Sequence, residues 1–126
     1  IAEKMIDKKY NVNNIFAKII SKKAKAEIVY ENEHVLCFKD IFPKAPIHIL
    51  ILPKKGYVDI YDFSKFSEIK EKEAIFLAFK ELMEKYKLEL KGSRIITNSG
   101  VDGRQEVPHL HFHLLGGKDI GRMVDN

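Results

Sequence analysis

Apolar residues repeat with a helical period in two segments of this chain. The first segment predicts a helix that begins after Asn13, because asparagine is a favoured N-cap residue and four apolar residues then fall on one helical face. That face contains Ile15, Phe16, Ile19 and Ile20. A second helix is predicted over 64–86, where an apolar stripe faces Lys and Glu residues. Asp62 or Ser64 is its expected N-cap residue.

Five short apolar segments bounded by turn residues predict β-strands. These segments are 27–30, 35–39, 47–52, 94–98 and 109–115. Together with the two helices they predict an α+β fold in which the strands form an antiparallel meander. Residues 1–12 are charged and lack a clear period, so we expect a mobile N-terminal arm followed by a single domain over 13–126.

The composition is that of a folded domain outside the membrane. Apolar residues make up 45% of the 126 residues, too many for a disordered chain, and no apolar run approaches the roughly 20 residues that span a bilayer. The net charge of +4 comes from Lys-rich pieces without interleaved aromatic residues, so nucleic-acid binding is not favoured.

The single cysteine, Cys37, lies in an apolar run and is expected to be a buried, inert thiol. One cysteine suits a reducing compartment, so we expect a cytoplasmic location, with the nucleus as a second one.

The candidate chemistry is concentrated in one alternating segment. It consists of His109, Leu110, His111, Phe112, His113 and Leu114. On a β-strand the three histidines would share one face and the three apolar side chains would pack beneath the other. Taken alone, the pattern is equally typical of a metal site and of a catalytic site, because imidazole binds metals and also transfers protons. A purely structural cluster is less favoured, since neighbouring charged imidazoles repel each other.

The segment before the histidines, residues 98–108, is polar and contains two glycines. It predicts a loop whose backbone N–H groups can face an anion, while Asn98 and Gln105 add neutral amides. Such a loop favours a phosphate site over a closed metal site. The glycine spacing matches neither the P-loop nor the dinucleotide-binding fingerprint.

The histidine segment and several others, in the same order, resemble the histidine triad superfamily, and most closely its histidine triad nucleotide-binding branch. The other matching segments are 14–20, 38–41, 43–55, 103–107 and 116–117. The resemblance implies a five-stranded antiparallel sheet with two helices and a homodimer in which two sheets join into a continuous ten-stranded sheet. It also implies hydrolysis of purine nucleoside phosphoramidates, with derivatives of AMP or GMP as substrates.

The resemblance implies catalytic roles for four histidines. His111, the middle histidine of the triad, would attack the α-phosphorus and form a covalent nucleotidyl-histidine intermediate that water then hydrolyses. His113 and His48 would lie near the phosphate oxygens and neutralise developing charge. His109 would hold the site together or relay protons.

The resemblance also implies a nucleotide pocket. Asp40 would bind the ribose hydroxyls, although the residues alone favour a simple turn aspartate. The base or sugar would be flanked by Phe38, Ile41, Phe16 and Ile19. Gln105 and the backbone of Glu106 and Val107 would contact phosphate or the leaving amine. Asn98 would orient these groups.

Several positions depart from the family pattern. Glu106 stands where some relatives have a serine, and Arg104 replaces a residue that is commonly small. Gly56 follows Lys54 and Lys55 where relatives often have a histidine. The tail, 118–126, contains no tryptophan. These departures affect the expected substrate preference and rate more than the reaction class.

Other functions stay open at this stage. A dinucleoside polyphosphate hydrolase is the runner-up, and a nucleotide-binding regulatory protein with incidental activity is a further alternative. A zinc-binding module is disfavoured, because three alternate residues of one strand cannot readily surround a tetrahedral ion. A sugar-phosphate nucleotidyl transferase is disfavoured, because that branch has glutamine in place of the third histidine, which in this chain is His113. We expect no metal and no cofactor.

Overall fold

A computed structural model describes residues 10–124 of the protein. In chain order, the described elements are α1 (Ile15–Ile20), β1 (Ile28–Glu31), β2 (Val35–Lys39), β3 (Ile47–Pro53), α2 (Ile60–Phe66), α3 (Ile69–Lys85), β4 (Arg94–Ile96) and β5 (Phe112–Gly116). Every strand pairing in the sheet is antiparallel. The predicted α+β class with a five-stranded antiparallel sheet is confirmed, and residues 10–124 contain one helix more than expected.

The strand order is β1-β2-β3-β5-β4, so the predicted meander is wrong. β5 enters the sheet between β3 and β4 and pairs Leu50 with His113 and His48 with Leu115. Paired residues and residues two apart on a strand share a face. His48, Leu50 and His113 therefore point to the same side of the sheet, although 65 residues separate the two histidines.

The two faces of the sheet bury different sets of side chains. One face, which we call the helix face, packs under α3 and includes Val35, Cys37, Ile49, Ile51 and Leu114. The opposite face, the site face, includes Leu36, Phe38, Leu50 and Leu52, which pack with Phe16 and Ile19 of α1. Burial raises the pKa of the Cys37 thiol to about 12, so this cysteine is the buried and inert thiol that its apolar surroundings predict.

The predicted continuous helix over 64–86 is wrong. The structure has two helices in this region, because Ser67 and Glu68 both have extended backbone conformations between α2 and α3. Glu68 then starts α3 through a capping box, in which Glu68 and Glu71 each accept a backbone N–H of the other. A glutamate at the N-cap is uncommon, which is why the pattern of apolar residues hid this boundary.

The predicted N-cap residues are also wrong. α1 is capped by Asn14 rather than Asn13, and the Asn14 side-chain oxygen accepts a first-turn N–H at 2.8 Å. α2 is capped by Asp59, which accepts the N–H of Asp62 at 2.9 Å; neither Asp62 nor Ser64 is the cap. Each true cap has the extended backbone that the N-cap position requires.

The histidine strand begins later than predicted, at Phe112 instead of His109. The preceding backbone has other partners: the N–H of Leu110 donates to the Tyr57 carbonyl at 2.7 Å, and the His111 carbonyl accepts a hydroxyl at 2.8 Å. The alternation survives, because Leu110 and Phe112 both join the helix-face core. β4 ends two residues before its predicted end. β1 starts one residue after its predicted start, and β3 ends one residue after its predicted end.

The predicted N-terminal arm lies outside the described residues as far as residue 9, and Tyr10 is the first residue described. The prediction of a mobile arm and a single domain over 13–126 stays a prediction. Among the described helices, none combines the length and the apolar composition needed to cross a bilayer.

Candidate active site

A cavity of about 370 Å³ opens on the site face. We call it the site cavity. The predicted site residues that line it are Phe16, Ile19, Phe38, Asp40, Ile41, Asn98, Glu106, Val107, His111 and His113. Its volume falls within the usual range for small-molecule sites. The fold therefore brings together, around one opening, candidate residues from α1, from the end of β2, from the segment between β4 and β5, and from β5 itself.

Three predicted site residues do not line the cavity. His48 and His109 are buried. They contact cavity-lining residues: His48 contacts His113, and the His109 carbonyl contacts His111. The Gln105 amide nitrogen donates to the carbonyls of Val58 at 2.6 Å and Val107 at 3.0 Å, and its oxygen accepts a loop N–H at 3.0 Å. The structure thus uses this amide to hold the loop, whereas the resemblance implied a contact with phosphate or the leaving amine.

Other cavity residues were not among the predicted site residues, although Arg104 is one of the departures from the family pattern. They are Ile15, Lys25, Ala26, Lys39, Phe42, Leu50 and Arg104. Leu50 could have been found, because it lies two residues after His48 on one strand. Lys25, Lys39 and Arg104 bring three basic side chains to the opening, against the acidic side chains of Asp40 and Glu106, and a basic excess suits an anion. Arg104 has a φ of 60°, a left-handed conformation that is costly for a residue with a side chain.

The tautomer of His111 is fixed by the protein backbone. Its Nδ1 lies 2.7 Å from the carbonyl oxygen of His109, and because a carbonyl only accepts, Nδ1 carries the proton. The lone pair is therefore on Nε2, which has no hydrogen-bond partner among the described residues. Since none of their buried side-chain nitrogens and oxygens lacks a partner, Nε2 must reach accessible space. Phe16 holds the ring edge-on, with 4.8 Å between ring centroids.

His48, His113 and Asp40 form a second group of polar side chains in close contact. The Lys44 backbone N–H donates to Nδ1 of His48 at 3.0 Å, so the proton of the neutral His48 ring is on Nε2. That Nε2 lies 2.9 Å from Nδ1 of His113 and 3.3 Å from Oδ2 of Asp40. His113 then accepts at Nδ1 and carries its own proton on Nε2. The other Asp40 oxygen is fixed by the Phe42 N–H at 2.8 Å.

Burial keeps these imidazoles neutral at neutral pH. The pKa values of the triad histidines and of His48 are all lowered, chiefly because burial penalises the charged ring. For His109 and His113 the pKa falls to about 4. The Asp40 carboxylate opposes the shift at the neighbouring rings without reversing it. The contact of 3.3 Å between His48 and Asp40 therefore joins a carboxylate to a neutral ring and is not an ion pair.

The same group could in principle offer ligands to a metal ion. One atom from each of Asp40, His48 and His113 lies within 4.8 Å of the others. However, the Lys44 N–H occupies one nitrogen of His48 and the other nitrogen carries the proton, so ligation would require removal of that proton or a rearranged ring. The group is better suited to moving a proton than to binding a metal.

Comparisons with known proteins identify the family. The family model for the HIT domain matches residues 21–120. The chain belongs to the HIT family. An uncharacterized HIT-like protein of Rickettsia prowazekii is 42% identical over 117 residues, which cover 93% of this chain and 98% of the relative. The purine nucleoside phosphoramidase of Escherichia coli K12 is 40% identical over 110 residues, which cover 87% of this chain and 92% of that enzyme.

Solved structures of HIT proteins share this fold. A HIT family hydrolase from Clostridium thermocellum has a TM-score of 0.81 at 40% identity, covering 89% of this chain and 96% of its own. A histidine triad protein from Clostridium difficile has a TM-score of 0.83 at 35% identity, covering 92% and 100%. These relatives confirm the predicted superfamily and the hydrolase class.

Proposed function

We propose that this HIT protein hydrolyses purine nucleoside phosphoramidates and releases a nucleoside monophosphate through a covalent intermediate on His111. The observation that carries the proposal is the accessible Nε2 lone pair of His111, which the hydrogen bond to the His109 carbonyl at 2.7 Å leaves free. A neutral imidazole locked in this tautomer is a nucleophile that needs no prior deprotonation. The name of the Escherichia coli relative, purine nucleoside phosphoramidase, supports the same reaction and the nucleotide-binding branch.

In the proposed reaction His113 carries the proton. The negative charge of a bound phosphoryl group raises the pKa of the adjacent His113, as the Asp40 carboxylate already does, so the ring takes up a proton from solvent at Nδ1. The His48 Nε2–H can then no longer donate to that nitrogen and turns to Oδ2 of Asp40, which lies 3.3 Å away. The His111 Nε2 lone pair then bonds to the α-phosphorus, the bond from phosphorus to the leaving nitrogen breaks, and that nitrogen takes the proton from His113. Water next attacks the phosphorus, its proton passes to His113, and the His111–phosphorus bond breaks.

The walls of the site cavity match the parts of a nucleotide. Its apolar wall, formed by Phe16, Ile19, Phe38 and Leu50, suits a flat base. Asp40 lines the same cavity, 3.3 Å from His48, and is the proposed acceptor for the ribose hydroxyls. Asn98 and the backbone of Glu106 and Val107 also line the cavity and are the proposed contacts of the phosphate; a carboxylate side chain at position 106 offers no hydrogen-bond donor there. Ile41 is 80% exposed, so it can only contribute at the rim.

We also propose that the protein is a homodimer with a continuous ten-stranded sheet. β4 is an edge strand of the sheet, and its central residue Ile95 is 36% exposed. An uncovered edge with an apolar residue is suited to pairing with another strand. A light-scattering mass of two chains supports this proposal, whereas a single-chain mass at micromolar concentration contradicts it.

The cytoplasm is the proposed location. Cys37 is a free, buried cysteine, which suits a reducing compartment. The bacterial relatives named above give no support to the nucleus as a second location.

The proposed reaction is tested by following AMP release from adenosine 5′-monophosphoramidate and from diadenosine polyphosphates, with a chelator present. Preferred release from the phosphoramidate, lost in His111→Ala, is the expected result. Preference for the dinucleotides would instead assign the protein to the dinucleoside polyphosphate hydrolases. Absence of turnover with both substrates, with AMP still bound, would overturn the proposal in favour of a nucleotide-binding regulatory role.

A further inference from the structure

Tyr10 is seated against the first histidine of the triad. Its hydroxyl lies 2.5 Å from Nδ1 of His109, and the two rings meet edge-on with 5.4 Å between their centroids. On the other side of the His109 ring, Nε2 lies 2.8 Å from the Pro53 carbonyl. Because a carbonyl only accepts, Nε2 carries the proton and Nδ1 accepts from the tyrosine. Both nitrogens of this completely buried ring are therefore held.

The seat for Tyr10 depends on the glycine at position 56. A Cβ atom on Gly56 would lie 2.6–2.8 Å from three carbons of the Tyr10 ring, closer than such atoms approach. Gly56 does not have the left-handed backbone that usually calls for glycine, so its missing side chain makes room for the ring. The segment after Tyr10 is also fixed, since the Asn14 amide donates to the Asn11 carbonyl at 2.7 Å while its oxygen caps α1.

The fixed position of His109 in turn fixes the ring of His111. The hydrogen bond that fixes the His111 tautomer ends on the backbone carbonyl of His109, at 2.7 Å. A displacement of the His109 ring would move this carbonyl. The N–H at Nδ1 of His111 would then lose its hydrogen-bond acceptor. We propose that Tyr10 is a positioning residue that holds His109 and, through the His109 carbonyl, the orientation and tautomer of His111. The consequence for turnover rests on the proposed function, whereas the structural role does not.

Tyr10→Phe is the most direct variant, because it keeps the ring in its seat and removes only the hydroxyl. We expect kcat for adenosine 5′-monophosphoramidate to fall by roughly tenfold, within the range that small misplacements of catalytic groups produce, with KM changed less than about twofold. Tyr61→Phe is the matched control, since Tyr61 is an exposed tyrosine on α2 outside the site; it should have the kinetics of the wild type. Wild-type kcat in Tyr10→Phe would overturn the kinetic consequence.

A spectroscopic measurement tests the structural role without any substrate. In ¹⁵N-histidine NMR of the wild type, we expect His109 to be protonated at Nε2 and His111 at Nδ1. In Tyr10→Phe, the His109 Nδ1 signal should lose its hydrogen-bond shift, and His111 should show a mixture of tautomers. Unchanged signals for both rings would overturn the inference. If the wild type fails to hydrolyse the phosphoramidate, the proposed function fails, and the NMR result still decides the role of Tyr10.

A double-mutant cycle separates the seat from general damage to the fold. Gly56→Ala should lower kcat as Tyr10→Phe does, because the new methyl group displaces the ring. In a Tyr10→Ala background, Gly56→Ala should have no further effect, since the ring that it would strike is absent. Fully additive effects, in variants that urea unfolding shows to be folded, would contradict the inference that the Tyr10 ring needs the space left by Gly56.

Discussion

The helix face and the site face are built by the same strands, but different helices cover them. The helix face is closed by α3, which has 17 residues. The site face is covered by α1, which has 6 residues, and the part left uncovered contains the site cavity. Neighbouring residues serve the two faces, since Ile49 and Ile51 pack in the helix-face core while His48 and Leu50 point to the site.

The comparison separates stability from chemistry within one sheet. A long amphipathic helix buries much apolar area, which stabilises the fold by roughly 25 cal/mol per Å², and the cavity that α2 and α3 line with Phe112 is smaller than the site cavity, at about 180 Å³. A short helix leaves an opening whose imidazoles are buried enough to stay neutral and open enough to react. Substitutions on the helix face should therefore change the free energy of unfolding, whereas substitutions on the site face should change turnover or binding.

The largest effect is expected from His111→Ala on the site face. Removal of the proposed nucleophile should lower kcat by at least about 10³-fold, as loss of a covalent nucleophile does in other hydrolases. AMP should still bind in equilibrium dialysis, because the apolar wall and the basic side chains at the opening remain. His34→Ala is the matched control, since His34 lies outside the site cavity, and its turnover should equal that of the wild type. Retained turnover in His111→Ala would rule out the mechanism.

The next effect contrasts two adjacent core positions. Ile51→Ala on the helix face should lower the free energy of unfolding by about 2–5 kcal/mol, the usual loss for a fully buried aliphatic side chain, and leave KM unchanged. Leu50→Ala on the site face should raise KM for the nucleotide and cost less stability, because its side chain already borders the cavity. Urea unfolding and steady-state kinetics measure both quantities. Equal losses of stability in the two variants, with equal KM values, would contradict the division between a stabilising helix face and a functional site face.

The buried histidines predict a pH dependence of stability. Because burial lowers the pKa of His109 and His113 from 6.5 to about 4, the unfolded chain binds more protons than the folded chain between these values. Their contribution is complete above pH 6.5 and is lost as the pH falls towards 4, by on the order of 3 kcal/mol for His109. Urea unfolding at pH 7.5, 5.5 and 4.5 should show this decrease, with a smaller slope in His109→Gln. An equal slope in that variant would contradict the assignment.

The smallest effect concerns the ribose contact of Asp40. The wild type should prefer a ribonucleoside phosphoramidate to its 2′-deoxy analogue in kcat/KM. Asp40→Asn should reduce this preference by roughly tenfold, which corresponds to the 1.5 kcal/mol of one hydrogen bond to a charged group. The ratio of the two substrates isolates the ribose contact from any change in His48 or His113. An unchanged ratio would show that Asp40 acts only on the histidines.

Much of the sheet could be predicted from apolar alternation. β2 and β3 lie within a residue of their predicted bounds, because their apolar residues are bounded by turn residues. The break before α3 could not be seen, since it depends on a capping box between two glutamates on a chain rich in lysine and glutamate. The position of β5 inside the sheet could not be seen either, because strand order depends on long-range packing and not on local periodicity.

The site residues that are close together in sequence could be predicted, whereas contacts between residues far apart in sequence could not. The triad and its loop are continuous in sequence, so their proximity followed from the strand pattern, and the resemblance added His48 and Asp40. The contact between Tyr10 and His109 spans 99 residues, and the glycine that admits it has no local signature of such a role. The use of Gln105 to hold the loop likewise depends on the Val58 carbonyl, which belongs to a distant segment.

The central claim is that His111 is the nucleophile, and trapping the intermediate tests it most directly. Wild-type protein is mixed with adenosine 5′-monophosphoramidate in the presence of a chelator, quenched within milliseconds in neutral denaturant, and analysed by intact-protein and peptide mass spectrometry. The account predicts a protein heavier by one adenylyl group, mapped to His111, that forms and decays at rates consistent with AMP release. Turnover without such an adduct, or an adduct on another residue, would contradict it.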